Sequence, residues 1–289
     1  MKTTEAAKIE VPYPETEAPL LLRISVGACH LRVTAAEQGA TATGGTAAEV
    51  AGAGETASSA EGAAGLWVSG TYDDPGGGLP EKIVDDGRGS VRITQKGGLS
   101  SIKTPFTGAP RLELVLGRER PFALTVEAGG SDSVLELGGL PLTSLALKKG
   151  AGKSEVDFSE PNPVAMDRLD ISAGAVNLVM RNLVNANFTR MALDGGAASY
   201  EFDFDGELRR DAAVKLTAGA SAVKVRVPGS TAAKIVPGSV LGSLDIGDGL
   251  AKKEGAFWNE AALAGKSPLL TINASMALGS LSLQVTGGV

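Results

Sequence analysis

The chain of 289 residues contains one cysteine, one histidine and few aromatic residues, which make up 4% of the sequence. A single cysteine excludes an intramolecular disulfide and a cysteine-rich zinc site. A single histidine excludes a two-histidine metal site such as HExxH. The formal net charge is −6, so the chain lacks the basic excess that is typical of nucleic-acid binding. We therefore expect no metal, no cofactor and no nucleic-acid partner.

The sequence also lacks long hydrophobic runs. No window approaches the roughly 20 apolar residues that a membrane-spanning helix needs. The first apolar stretch, residues 19–22, is too short for the core of a signal peptide. Hydrophobic residues still make up 43% of the chain, which is enough to build a core. These features predict a soluble, folded protein without a transmembrane segment, located in the cytoplasm.

Glycine is abundant, with 39 residues, and many glycines follow a repeat. Each copy begins with two apolar residues two positions apart, and a glycine follows five positions after the first of them. Another apolar residue stands eleven positions after the first. The copies begin at Leu22, Leu124, Leu145, Leu169, Met191, Val214 and, more weakly, Ala233, and their glycines are Gly27, Gly129, Gly150, Gly174, Gly196, Gly219 and Gly238.

Stacked β-strands would explain the repeat. Residues two apart on a strand face the same side, so each copy is a short strand, a glycine corner and a second short strand. Glycine at a corner permits positive φ or a close approach of two backbones. The copies predict an all-β fold, a β-solenoid with rungs of about 22 residues and capped ends. The alternative is an antiparallel β-sandwich of hairpins with glycine turns.

The pattern divides the chain into three parts. Residues 1–18 are polar and predict a flexible leader. Residues 19–120 predict an N-terminal β region with the first rung and an Ala/Gly-rich insertion at 35–65. Residues 121–289 predict the solenoid repeats and a C-terminal cap. The one helical candidate is Glu254 to Leu263.

Several short motifs resemble sites, but none has the full pattern. Gly150 to Ser154 lacks the first glycine of a phosphate-binding loop, and a strand pattern follows it. Glu201 to Gly206 resembles the start of a calcium loop, but position twelve is Ala212. Cys29 and His30 are adjacent, so on a strand they face opposite sides and cannot form a nucleophile pair. The basic pairs are interpreted as solubility features: Lys148-Lys149, Arg209-Arg210 and Lys252-Lys253.

Four segments together resemble a known family. They are LRISVGACHLRV at 22–33, LWVSGTYDD at 66–74, SVRITQ at 90–95 and the later repeats of the form L-x-L-x-x-G-A. Over roughly residues 20–289 this pattern is similar to the bacterial toast-rack proteins, relatives of adhesin-like proteins and of the C-terminal domain of cell-wall-active antibiotic response proteins. The resemblance implies a β-solenoid without an established catalytic site. In the family it is often attached to membrane helices that sense or regulate envelope stress. This chain differs from the family pattern because it lacks those helices and has the insertion at 35–65.

Three functions follow from these observations. The first is a non-enzymatic binding or scaffolding protein, adhesin-like, that displays a rigid sheet surface to a protein partner or to a second copy. The second is a soluble regulator or sensor of a cell-envelope stress response, which allows peripheral association with the envelope. The third is a carbohydrate-active enzyme, which requires acids converging in one groove, with Asp73, Asp74, Asp85 and Asp86 as candidates. We expect no catalytic residues, and the sequence does not specify the binding residues.

Overall fold

The computed structural model describes residues 6–37, 65–75, 79–95 and 108–287. The all-β class is confirmed, because 18 strands within these residues join into one hydrogen-bonded sheet, with one α-helix of four residues. The strands are β1 (Ala7–Pro12), β2 (Leu20–Val26), β3 (His30–Ala35), β4 (Leu66–Asp73), β5 (Pro80–Asp85), β6 (Ser90–Gln95), β7 (Arg111–Leu116), β8 (Phe122–Gly130), β9 (Ser133–Glu136), β10 (Leu142–Asp157), β11 (Met166–Arg181), β12 (Phe188–Gly195), β13 (Ser199–Asp203), β14 (Ala212–Pro228), β15 (Ala232–Ile246), β16 (Leu250–Lys253), β17 (Ala256–Asn259) and β18 (Leu269–Thr286). The helix α1 is Glu260–Leu263.

The strands of the repeat lie side by side in parallel. Leu124 of β8 pairs with Leu145 of β10, which pairs with Leu169 of β11, and the series continues through Met191 of β12 to Val214 of β14. Equivalent residues of successive copies are therefore neighbours in adjacent layers. Their side chains form one buried apolar row, as the period-two pattern requires.

A second run of parallel pairs follows each corner. In this run β9 pairs with the C-terminal half of β10, which pairs with the C-terminal half of β11. The next strand is β13, which pairs with β11 on one side and with the C-terminal half of β14 on the other. Long strands such as β10 and β11 pass through the corner and contribute to both runs. The apolar sides of the two runs meet in one core, whose members are almost completely buried.

The N-terminal copy takes its place in the stack out of chain order. β2 lies between β6 and β8, with Leu22 beside Leu124, and β3 lies between β7 and β9. The prediction of a flexible leader at residues 1–18 is wrong for residues 7–12. Residues 7–12 form β1, antiparallel to β4, because Ile9 and Val11 alternate with polar residues and bury their side chains. The predicted insertion at 35–65 lies outside the described residues except at its ends.

The C-terminal copy departs from the predicted order. The repeat predicts that Ala233 follows Val214 in the stack, but β18 lies between β14 and β15, and Val214 pairs with Ile272. β18 has buried apolar residues along both halves, whereas the C-terminal half of β15 is exposed. Pro237 cannot donate a ladder hydrogen bond, which favours the outer position for β15. The weak copy is therefore the outer layer.

A hairpin covers part of this outer layer. β17 pairs antiparallel with β16 and with Lys234 and Ile235 of β15. The prediction of a helix from Glu254 to Leu263 is wrong for most of its length, because residues 256–259 alternate as strand β17. Only Glu260–Leu263 form a helical turn, and the Asn259 side chain caps it by accepting from the Ala262 N–H.

Buried asparagines hold the connections between layers. The Asn162 Nδ2 donates to the carbonyls of Leu142 and Ala186, at 2.8 and 3.1 Å. Asn185 donates to the Phe158 carbonyl and Asn187 to that of Val164. Each amide thus satisfies carbonyl oxygens of a neighbouring layer that would otherwise be buried without a partner.

Candidate functional site

The corner glycines form a column along the stack. A Cβ atom on Gly129 would lie 2.8 Å from the Gly27 carbonyl oxygen, and one on Gly150 would lie 3.0 Å from that of Gly129. The same relation joins Gly174 to Gly150, Gly196 to Gly174 and Gly219 to Gly196. None of the five has a positive φ, so the close approach of backbones explains glycine at the first four, whereas Gly219 would make an ordinary contact at 3.4 Å. Gly238 lies outside the column, against Ser275.

An open groove of about 770 Å³ runs beside this column. Its floor is glycine backbone, and its side is a row of polar residues two positions before each glycine. Register pairs place these residues next to one another: Ser25, Glu127, Lys148, Ser172 and Asp194. The side chains therefore stand at the strand spacing of about 4.8 Å, on a surface without bulky groups.

Glu127 is the electrostatic centre of the row. Its carboxylate accepts from Lys148 Nζ at 3.0 Å and from Ser25 Oγ at 3.1 Å, and Arg23 lies 3.8 Å away. These contacts, chiefly the hydrogen bond from Lys148, hold the Glu127 pKa below its usual value. The residue stays ionised at neutral pH and cannot serve as a general acid. The row offers fixed donors and acceptors to a ligand.

Lys149 is buried beneath the groove and is 3% exposed. It occupies an inward row that small or apolar residues fill in the other layers, namely Val26, Ala128, Ala173, Gly195 and Ala218. Its ammonium donates to the Ser131 carbonyl, to Ser131 Oγ at 3.0 Å and to Ser133 Oγ at 2.8 Å. Burial lowers the Lys149 pKa to about 8, while the nearby Asp132 charge opposes that shift.

A second buried polar group lies next to Lys149. Cys29 is buried, and burial raises the pKa of its thiol to about 11, against a smaller opposing effect of Lys149. Burial likewise raises the pKa of Tyr72 to about 12, and its hydroxyl donates to Asp74 at 3.3 Å. Gln95 closes this end of the groove by accepting from the Gly27 N–H at 2.9 Å. A protonated thiol without solvent access is a poor nucleophile.

The structure places the predicted motifs in regular strands. Gly150 to Ser154 lies within β10, where Ser154 is buried and the Lys153 N–H donates to Asp132. Its backbone is paired with β11 and cannot cradle a phosphate. Cys29 is buried whereas His30 is exposed, as expected from opposite faces. The interpretation of Lys148-Lys149 as a solubility feature is wrong for Lys149.

The acidic candidates do not converge. Glu201 forms an ion pair with Arg226, and Asp203 accepts from the N–H of Asp205, while Phe202 and Phe204 are buried. Within the described part of the chain, no group of three or more His, Cys, Asp or Glu side chains is placed to hold a metal.

The four aspartates considered for carbohydrate chemistry fall into two separate pairs. Asp73 stands on β4 opposite Arg111, with Asp74 next to it. Asp85 ends β5 and caps the turn at Asp86–Arg88 by accepting from the Arg88 N–H. The absence of an enzymatic activity remains a prediction.

Sequence reasoning missed the buried polar cluster of Lys149, Ser131 and Ser133. A signal was present, because aligning the copies on their glycines places Lys149 where the other layers carry Val, Ala or Gly. Ser133 and Ser154 interrupt another apolar row, between Leu31 and Leu178, in the same way. A polar residue at an inward position of a repeat predicts a buried partner.

Comparison with known proteins finds one matching family. Residues 61–175 match the N-terminal domain of toast_rack, DUF2154. The resemblance to the toast-rack family is confirmed over this segment. No curated protein matches the chain. No helix among the described ranges is long and apolar enough to cross a membrane.

Two crystal structures resemble the chain over its length. One is a putative cell adhesion protein from Clostridium sporogenes, with 13% identity and a TM-score of 0.45, covering 98% of this chain and 100% of that one. The other is a putative adhesin from Bacteroides fragilis, with 10% identity and a TM-score of 0.46, covering 98% of each chain.

Proposed function

We propose that this chain is a non-enzymatic binding protein that displays a rigid β-solenoid surface, with an adhesin-like role. The observation that carries the proposal is the groove along the glycine column. It combines a flat floor with a row of hydrogen-bonding side chains whose spacing the sheet determines. An extended partner with a regular repeat of polar groups would meet several of these side chains at once.

The inner layers make this surface rigid. Strands in the middle of the stack are paired on both sides, so their backbone groups are satisfied. Ion pairs also connect adjacent layers on the face beyond the corner, as between Arg181 and Glu155 at 3.1 Å. A preorganised surface loses little conformational entropy on binding, which favours recognition without closure of a loop.

The groove supports binding better than catalysis. Among its ionisable groups, Glu127 is paired with Lys148 and Lys149 is buried beneath the floor, so Asp194 is the exposed carboxylate that faces the groove. One carboxylate does not supply both a general acid and a general base. The protein partner expected for a scaffolding role would therefore be held and released unchanged.

A binding screen with groove variants tests the proposal. The full chain would be immobilised and exposed to purified bacterial surface proteins and cell-wall polysaccharides. We expect at least one to bind, and Ser172→Arg together with Asp194→Arg to weaken binding at least ten-fold by obstructing the groove. The matched control is Asn177→Arg, an exposed residue of β11 beyond the corner.

Two outcomes would contradict the proposal. The first is a panel without any ligand, or equal loss of binding in the groove and control variants. The second is chemical change of a bound ligand, detected by mass spectrometry after incubation, since a binding protein returns its partner intact.

A further inference from the structure

In the part of the chain that the structure describes, the core of the stack is left open at one end. In the run beyond the corner, Leu178, Tyr200, Val223 and Leu281 form a buried row in register, and Leu244 of β15 is its last member. Leu281 is completely buried, whereas Leu244 is 41% exposed although its side chain belongs to the same inward row. One more layer would cover it.

The backbone at this end also lacks a neighbour. Residues 240–246 of β15 pair with β18 on one side. The hairpin strand β17 reaches only Lys234 and Ile235, at the other half of β15. Among the described strands, nothing pairs with the second side of residues 240–246. An unpaired edge strand next to exposed apolar side chains is a surface that adds another strand.

The opposite end of the same run is closed. Among the described strands β1 is the outer one and pairs with β4 alone, and its inward residues Ile9 and Val11 are buried. Pro12 ends this strand and offers no N–H for pairing. A head-to-tail contact between two copies would therefore join an open core to a closed one, which disfavours it.

Two copies of the open edge are complementary to each other. In an antiparallel pair centred on Leu244, this residue faces its own equivalent, and Gly242 faces Ile246 on the same inward side. On the outward side Ser243 faces Asp245, a pair like the one that Ser282 Oγ makes with Asp245 at 3.2 Å in this chain. A pairing centred one residue later would instead place two Asp245 carboxylates opposite each other.

We propose that residues 240–246 of β15 form a homodimer interface, in which two copies pair antiparallel about Leu244 and their cores become continuous. The interface is isologous, so both copies bury their open edge at once. A single strand edge is smaller than a standard interface, and we expect a reversible dimer with a dissociation constant on the order of micromolar or weaker. Leu241, 65% exposed, precedes Gly242 and extends the apolar edge.

Sedimentation velocity of the full chain over a range of concentrations tests the proposal. We expect a monomer–dimer equilibrium, and Leu244→Glu to raise the dissociation constant at least ten-fold, because it sets two carboxylates face to face. The control is Leu21→Glu, a leucine of similar exposure (49%) on β2, which pairs with β6 and β8. Thermal unfolding of each variant verifies that it folds.

Cross-linking tests the register directly. Leu244→Cys should give a disulfide-linked dimer under mild oxidation, since directly opposed residues have Cβ atoms about 5 Å apart. Leu263→Cys, exposed on α1, should stay monomeric. A monomer at all concentrations, a dimer that Leu244→Glu leaves unchanged, or no cross-link through Cys at 244 would overturn the proposal. These outcomes leave the groove binding assay unaffected.

Discussion

Alanine at the glycine column tests the close stacking of layers. In Gly174→Ala the new methyl group would meet the Gly150 carbonyl oxygen far inside contact distance. That oxygen is backbone within a paired strand, so two layers must separate locally. Overpacking of this kind costs about 1–3 kcal/mol. Alanine also restricts the unfolded chain, which offsets about 0.4–1 kcal/mol. Because a backbone atom cannot rotate away, the cost lies at the upper end of its range, and we expect a net loss of about 2 kcal/mol of unfolding free energy.

Urea unfolding followed by circular dichroism measures this loss of unfolding free energy. In thermal unfolding, the melting temperature should fall by roughly 4 °C for a chain of this size. Gly130→Ala is the matched control, because no atom lies within 4 Å of its Cβ. Gly219→Ala should fall between the two, since its Cβ would make an ordinary contact at 3.4 Å. If Gly174→Ala were as stable as Gly130→Ala, the explanation of the column by backbone approach would be refuted.

Three further predictions concern the buried polar residues. Because the folded Lys149 pKa, about 8, lies below its ordinary value, the unfolded chain binds more protons above pH 8, and this residue adds up to about 3 kcal/mol of stability as pH rises towards 10.5. The difference in unfolding free energy between the natural chain and Lys149→Met, measured from pH 7 to 10, should therefore grow in favour of the natural chain, and a flat difference would contradict the low pKa. Asn162→Ala should lower the unfolding free energy, measured in urea, by about 2–4 kcal/mol, because it removes the hydrogen bonds to the Leu142 and Ala186 carbonyls. Asn177→Ala on the exposed face should lower it little, and equal losses in the two variants would argue against the role of these bonds. The Cys29 thiol should react with iodoacetamide at pH 8 far more slowly than the exposed thiol of Ser172→Cys, since it is buried and its pKa is about 11, and equal rates would show that the corner opens.

The repeat could be predicted because its physics is local. Alternating residues such as Leu145 and Leu147 require one buried face, and a glycine at constant spacing requires a constraint common to every copy. The strands β4, β6 and β7 show the same alternation, which the segments LWVSGTYDD and SVRITQ carry in the sequence. The groove could not be predicted from any one copy, because it exists only where several layers align their polar residues.

The predictions that failed involve competition between segments. β18 displaces β15 from the position beside β14 because its apolar rows are longer, and neither segment shows this when considered alone. β1 was missed since a six-residue strand with two buried side chains depends on β4 for its partner. Lys149 was missed because its neighbours along the chain are polar, while its burial comes from Ser131 and Ser133 in the layer before it.

The sequence by itself determined the all-β class and the residues that face the core, because hydrophobic alternation acts between residues that are close in the chain. Only the tertiary structure decided the order of the layers, the burial of Lys149 and the open edge at Leu244. Those features depend on which distant strands compete for the same edge, and the free energy of that choice comes from contacts between layers.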